Sequence, residues 1–72
     1  MNYAAEQRLR LIDFLVSQYG YINRSALVEY FGISIPQASN DIKQYLKLAP
    51  ENIEYSASKK VYEKTHKYKS LF

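Results

Sequence analysis

The chain has 72 residues, of which 47% are hydrophobic and none is Cys, and its formal net charge is +3. A chain of this length forms one small domain, residues 1–72, that buries only about 60% of the surface exposed in its unfolded form. Without Cys, disulfides and thiolate metal sites are excluded, and the apolar runs are too short to cross a bilayer. His66 is the only His and the carboxylates are scattered. We therefore expect a cytoplasmic protein with no enzyme activity, metal or cofactor.

The positive charge lies in the second part of the chain. Residues 1–42 carry three Arg against four acidic residues, whereas residues 43–72 carry seven Lys against three Glu. This asymmetry favours a surface that faces a polyanion, although a Lys-rich solvated surface has the same composition. Charge alone does not decide between them.

The first predicted helix covers residues 4–19. Apolar side chains recur at helical spacing at Leu9, Ile12, Val16 and Tyr19. Gly20 then stands where a residue in the left-handed conformation commonly ends a helix.

Two shorter helices are predicted next. The second covers residues 24–31, with Asn23 as its N-cap and a Gly at its end. The third covers residues 35–48, with Ser34 as its N-cap and Gln37 three residues later, which together fit a capping box. The tight, Gly-containing turn between the two helices is typical of a helix-turn-helix.

The third helix has a polar side without acidic residues. Its outward residues are Pro36, Asn40, Lys43, Gln44 and Lys47, flanked by Gln37 and Ser39. Asn and Gln amides bind adenine edges bidentately, and Lys binds guanine or phosphate, whereas an ordinary solvated face usually mixes Glu with Lys. This face therefore favours nucleic acid. Asp41 falls at the edge of the buried side, where it either pairs with an Arg of the first helix or is solvated.

Residues 52–64 predict a β-hairpin, because apolar and polar residues alternate on both sides of a short turn. Tyr55 is expected opposite Tyr62, and together with Ile53 these side chains would cover the core. The turn carries outward the polar residues Ser56, Ser58, Lys59 and Lys60. Such a wing suits phosphate or minor-groove contact, but Lys also protects the exposed edge of an ordinary sheet.

The order of these parts resembles a known family. The segments "INRSALVEYFGISIPQASND" and "LAPENIEY" are similar to the winged helix-turn-helix at the N-terminus of bacterial WYL-domain transcriptional regulators, in particular the BrxR and CapW type that controls phage-defence loci. The resemblance implies a homodimeric repressor that binds an inverted repeat. By position it implies base reading by Ser34, Pro36, Gln37, Ser39 and Asn40, and phosphate contact by Arg24 and Ser25. Family members continue into a ligand-sensing WYL domain and a dimerisation module, so this chain is either a fragment or a naturally short relative.

The predicted fold class is mainly α with a β-hairpin, a winged helix-turn-helix of three helices plus wing. The predicted function is a sequence-specific transcriptional regulator whose helix 35–48 enters the major groove of double-stranded DNA. The alternative is a winged-helix module that binds another protein and no DNA, because the fold does not imply the function. The candidate DNA-binding residues are Arg24, Ser25, Ser34, Pro36, Gln37, Ser39, Asn40, Lys43, Gln44, Lys47, Lys59 and Lys60.

The first helix carries more apolar surface than one core contact needs. Its apolar residues sweep an arc of roughly 220°, about twice the width of a single core-facing stripe. The C-terminal tail, residues 65–72, adds Tyr68, Leu71 and Phe72. We expect the helix and the tail to contact a second copy, as in a homodimer, or an additional C-terminal domain. The alternative is that the tail folds back over the helix within the monomer.

Overall fold

The computed structural model describes residues 2–72, which form three helices and a three-stranded antiparallel sheet. The elements in chain order are α1 (Tyr3–Tyr19), β1 (Tyr21–Ile22), α2 (Arg24–Phe31), α3 (Ile35–Leu48), β2 (Ile53–Ser56) and β3 (Val61–Lys64). The predicted fold class, three helices with a β-hairpin, is confirmed. The short strand β1 adds a third strand beside the predicted hairpin.

Each helix begins at a side-chain cap. The side-chain oxygens of Asn2, Asn23 and Ser34 accept a hydrogen bond from the backbone N–H three residues later, at 2.8, 2.9 and 3.2 Å. These bonds satisfy N–H groups that have no partner within the helix. Gly20 and Gly32 end α1 and α2 with φ of 82° and 67°, a left-handed conformation that glycine adopts without strain. Local sequence therefore determines where the helices begin and where the first two end.

Strand β1, which lies between α1 and α2 in the chain, pairs with the hairpin strand β3. The strand order is β1-β3-β2, with Ile22 of β1 opposite Tyr62 of β3 and Tyr55 of β2 on the other side of Tyr62. The expected pairing of Tyr55 with Tyr62 is confirmed. The expectation that Tyr55 covers the core is wrong, because its side chain is 56% exposed and lies against the Tyr62 ring, with the ring centroids 5.0 Å apart.

The core lies between the three helices and the sheet. Its buried apolar residues are Leu9, Ile12, Val16, Ile22, Leu27, Ala38, Ile42, Tyr45 and Ile53. Every described element except β3 contributes at least one of them, and Tyr62 of β3 packs against the cluster. Tyr19, expected on the apolar side of α1, is exposed at the end of that helix.

A carboxylate, Asp13, is buried beside this core. Asp13 accepts hydrogen bonds at Oδ1 from the hydroxyls of Tyr45 and Tyr68, at 2.6 and 3.1 Å. Its Oδ2 accepts from the hydroxyl of Ser70 at 3.1 Å and from the backbone N–H of Leu71 at 3.2 Å. Burial, followed by the bond to Asp13, raises the pKa of Tyr45 far above its usual value. The Tyr45 hydroxyl is therefore a neutral donor at ordinary pH.

The C-terminal tail folds back over α1 within the monomer. Tyr68 and Leu71 pack against the core cluster, and the Arg10 guanidinium lies 4.6 Å from the centre of the Phe72 ring. Asn52 donates to the carbonyl of Lys69 at 2.7 Å and accepts from its N–H at 3.0 Å. The alternative in which the tail folds back over the helix is thus observed, and contact of the helix and tail with a second copy or another domain stays a prediction.

Candidate nucleic-acid interface

Helices α2 and α3 are joined by the turn Gly32 to Ser34 and form a helix-turn-helix. Ile33 in the turn is half-buried and packs against the core, as a plug between the two helices. The side of α3 that contains Ala38, Ile42 and Tyr45 is fully buried. This packing fixes the rotation of α3 and directs its opposite side to solvent.

The opposite side of α3 brings together most of the predicted site residues. We call its exposed residues the recognition face: Pro36, Asn40, Lys43, Gln44 and Lys47. A groove of about 650 Å³ runs between this face and the N-terminal half of α1. Gln37 lines the same groove and is half-buried, whereas Ser34 is exposed at the N-cap. The groove therefore exposes side-chain amides and ammonium groups.

The acidic residue of α3 is buried beneath this groove. Asp41 is 4% exposed, and its Oδ2 accepts from Arg8 Nε of α1 at 2.6 Å. The alternative that Asp41 pairs with an Arg of the first helix is thus confirmed. Its Oδ1 accepts from Gln37 Nε2 at 3.0 Å. Because Arg8 balances its charge, Asp41 adds no net negative charge to the groove.

The capping box predicted at the start of α3 forms only in part. The Ser34 hydroxyl accepts from the backbone N–H of Gln37, as expected. The Gln37 side chain was expected to return to the backbone of Ser34, and this part of the prediction is wrong. Its Nε2 donates to Asp41 Oδ1 instead, because a bond to a carboxylate is stronger than the neutral bond that Oε1 would accept from the Ser34 N–H.

A second polar cleft lies between the hairpin and the two helices. It has a volume of about 300 Å³ and is lined by Asn23, Arg24, Ser39, Tyr55, Lys60 and Tyr62. Arg24 Nη1 lies 3.5 Å from the hydroxyl oxygen of Ser39, so the first turn of α2 contacts α3 across this space. We call it the wing cleft. It brings together three predicted site residues, Arg24, Ser39 and Lys60.

The sequence did not predict that Tyr55 and Tyr62 line this cleft. The signal that could have found them was their cross-strand pairing, which places both rings on one side of the hairpin. That this side faces Arg24 follows from the pairing of β1 with β3, which positions the hairpin beside the start of α2. A two-residue strand is too short for its pairing to be predicted from alternation.

The two turn lysines lie on different sides of the hairpin. Lys60 has a left-handed φ of 58° and lines the wing cleft. Lys59 Nζ pairs with Glu63 Oε2 at 3.0 Å and borders a different groove, beside Tyr19 and Tyr21. Lys59 is therefore apart from the other predicted site residues. Ser25 is exposed in the first turn of α2, next to Arg24.

Within residues 2–72, no group of three or more His or acidic side chains is arranged to hold a metal ion. In the same part of the chain, no helix combines the length and the apolar character needed to cross a membrane.

Comparison with known proteins places this architecture in a family. The model of the BrxR transcriptional regulator winged helix-turn-helix domain matches residues 4–72. Proteins named DNA-binding transcriptional repressor CapW are similar over 99% of this chain, with 46% identity in Escherichia coli strain KTE188, 47% in Pseudomonas aeruginosa and 37% in Stenotrophomonas maltophilia. The chain spans about a quarter (24%) of the length of these relatives. It belongs to the BrxR family of winged helix-turn-helix domains.

Proposed function

We propose that this chain binds double-stranded DNA with sequence specificity, as the DNA-binding part of a transcriptional repressor. The observation that carries the proposal is the recognition face, which exposes amide and ammonium groups on the second helix of a helix-turn-helix while its one carboxylate is buried and paired. The names of the CapW relatives support the same function. A helix with these groups fits the major groove, where base edges present both donors and acceptors.

The groove beside α1 and the wing cleft contact different parts of the DNA in this proposal. In the groove beside α1, Gln37, Asn40 and Lys43 are positioned to read base edges from the first turns of α3. In the wing cleft, Arg24 and Lys60 supply two cations, with the exposed Tyr55 beside them. This second arrangement suits a backbone phosphate, which fixes the position of the protein on the duplex without reading sequence.

Because only Lys60 of the two turn lysines lines the wing cleft, Lys59 and Lys60 are expected to contribute differently to DNA binding. Lys60→Ala is expected to weaken binding to every duplex and to reduce the slope of log affinity against log salt by about one, the value for one lost phosphate contact. Lys59→Ala is the matched control and should leave the slope unchanged, because Lys59 pairs with Glu63 outside the cleft. Fluorescence anisotropy with a random-sequence duplex over a range of salt concentrations measures both variants.

The outcomes of this titration are distinct. Equal slopes for Lys60→Ala and the unmodified protein would show that the wing cleft does not hold a phosphate. No measurable affinity of the unmodified protein for any duplex would contradict DNA binding itself. That result would favour the alternative, a module that binds another protein.

We also propose that two copies act together on an inverted repeat, either by self-association or through an additional C-terminal domain. Two recognition faces must then lie one DNA turn apart, about 34–36 Å, or a multiple of this distance. On α1, Phe14 is 55% exposed and is available as a contact for a partner. Binding-site selection from a random duplex library, with sedimentation of the selected complex, is expected to give paired half-sites and two chains per duplex. One half-site with one chain would contradict the paired arrangement for this chain.

A further inference from the structure

We propose that Asp41 determines which base Gln37 reads, because it fixes the orientation of the Gln37 amide. The inference rests on the proposed DNA binding and deepens it. Asp41 is then a positioning residue for specificity: it is buried under the recognition face and acts on DNA only through Gln37.

The chain of contacts runs from α1 to the groove. Arg8 Nε donates to Asp41 Oδ2 at 2.6 Å, and Gln37 Nε2 donates to Asp41 Oδ1 at 3.0 Å. An ionised carboxylate only accepts hydrogen bonds, so the end of the Gln37 amide that faces it is the NH₂ group. Arg8 belongs to another helix and its side chain is only 16% exposed, which holds the carboxylate in place from outside α3.

Once its orientation is fixed, the Gln37 amide presents a defined set of hydrogen-bonding groups to DNA. One N–H of Gln37 is used by Asp41, so Oε1 and the second N–H remain, side by side. This acceptor and donor match adenine, whose N6 donates and whose N7 accepts in the major groove. Guanine presents two acceptors there, O6 and N7, and would leave Oε1 facing an acceptor. The bond to Asp41 therefore favours adenine over guanine at the base that Gln37 contacts.

The same chemistry predicts what Asp41→Asn does. Arg8 Nε can only donate, so the new side chain must turn its oxygen toward Arg8 and its NH₂ group toward Gln37. Gln37 must then turn Oε1 inward to accept, which leaves its own NH₂ group with two N–H donors facing outward. Two donors fit the two acceptors of guanine. The substitution should thus reverse the preference at one base pair rather than weaken binding in general.

Binding-site selection followed by competition measures this reversal. The base pair that Gln37 contacts is identified as the one at which Gln37→Ala abolishes the base preference. At that pair the unmodified protein is expected to prefer adenine. At that pair Asp41→Asn should favour guanine by about tenfold, within the range for one base contact. The double variant Gln37→Ala with Asp41→Asn should show no preference there. Glu6→Gln is the control: it removes the exposed α1 ion pair between Arg10 and Glu6 and should leave every base preference unchanged.

A second measurement tests the amide itself in the free protein, so it does not depend on DNA or on a variant that folds. In NMR spectra, one side-chain amide proton of Gln37 is expected to exchange with solvent more slowly than those of Gln44, which is exposed on the same helix. Equal exchange for Gln37 and Gln44 would overturn the inference. It would also be overturned if Asp41→Asn kept the adenine preference or weakened binding to all sequences equally. If the unmodified protein showed no sequence preference at all, that result would instead contradict the proposed function.

Discussion

Replacing Asp13 by Ala is expected to lower the free energy of unfolding by about 3 kcal/mol. The Tyr45 hydroxyl is fully buried and would lose its acceptor at 2.6 Å, and the Leu71 N–H would lose its acceptor at 3.2 Å. Buried donors without partners are costly, and a small domain has only about 5–15 kcal/mol of total stability. Urea unfolding followed by circular dichroism measures the change.

The control for this substitution is an exposed carboxylate on the same helix. Glu6→Ala removes only the surface pair with Arg10 and should change the free energy of unfolding by less than about 0.5 kcal/mol. A loss of less than about 1 kcal/mol in Asp13→Ala would contradict the prediction, since such a loss is no larger than that of an ordinary hydrogen bond. It would mean that water replaces the carboxylate at the centre of the network.

Asn40→Ala is expected to reduce affinity for the preferred duplex by about 1–3 kcal/mol, or roughly 5- to 150-fold. Asn40 lies in the middle of the recognition face, is exposed, and lines the groove beside α1. A bidentate amide contact to a base is lost with the side chain, whereas contacts to phosphate remain. Affinity for random-sequence DNA should therefore stay almost the same, as measured by competition between the preferred and the random duplex.

Gln18→Ala provides a matched control for Asn40→Ala, because it removes an exposed amide from α1 away from the groove. It should leave both affinities unchanged. If Asn40→Ala weakened binding to preferred and random DNA by the same factor, Asn40 would contact the backbone or support the fold. The assignment of Asn40 as a base-reading residue would then be wrong.

The parts of the fold that follow local rules were predictable from the sequence. Asn23 and Ser34 precede helices and cap them through a bond to the third residue that follows, which needs no tertiary information. Alternation placed Tyr55 opposite Tyr62, because a short turn fixes the register of a hairpin. Helical spacing likewise identified the recognition face, since burial of one side of α3 requires exposure of the other.

What depends on distant residues was not predictable. In the sequence, Asp13 is one of only two acids of the first helix, and the folded tail alone shows that Ser70 and Leu71 donate to it. The Gln37 amide could accept from the Ser34 N–H or donate to Asp41, and the bond to Asp41 depends on Arg8 holding that carboxylate in place. Such choices between competing polar partners leave no periodic pattern in the sequence.

The two turn lysines illustrate the same limit on a smaller scale. They are adjacent in sequence and chemically identical, so composition treats them as one feature. In the structure Lys60 has a left-handed φ and lines the wing cleft, whereas Lys59 pairs with Glu63 and borders a different groove. Which of the two cations lies beside Arg24 is therefore visible only in the folded chain.

The anchoring of the tail on Asp13 has a consequence for the kinetics of folding. Asp13 and Leu71 are 58 residues apart in sequence, whereas the caps and the hairpin join residues close together. Long loops close late, so we expect the tail to dock after the transition state has formed among the helices. Interactions made after that point slow unfolding without speeding folding. The last few residues should therefore determine how long each molecule stays folded, while the helices determine how fast it folds.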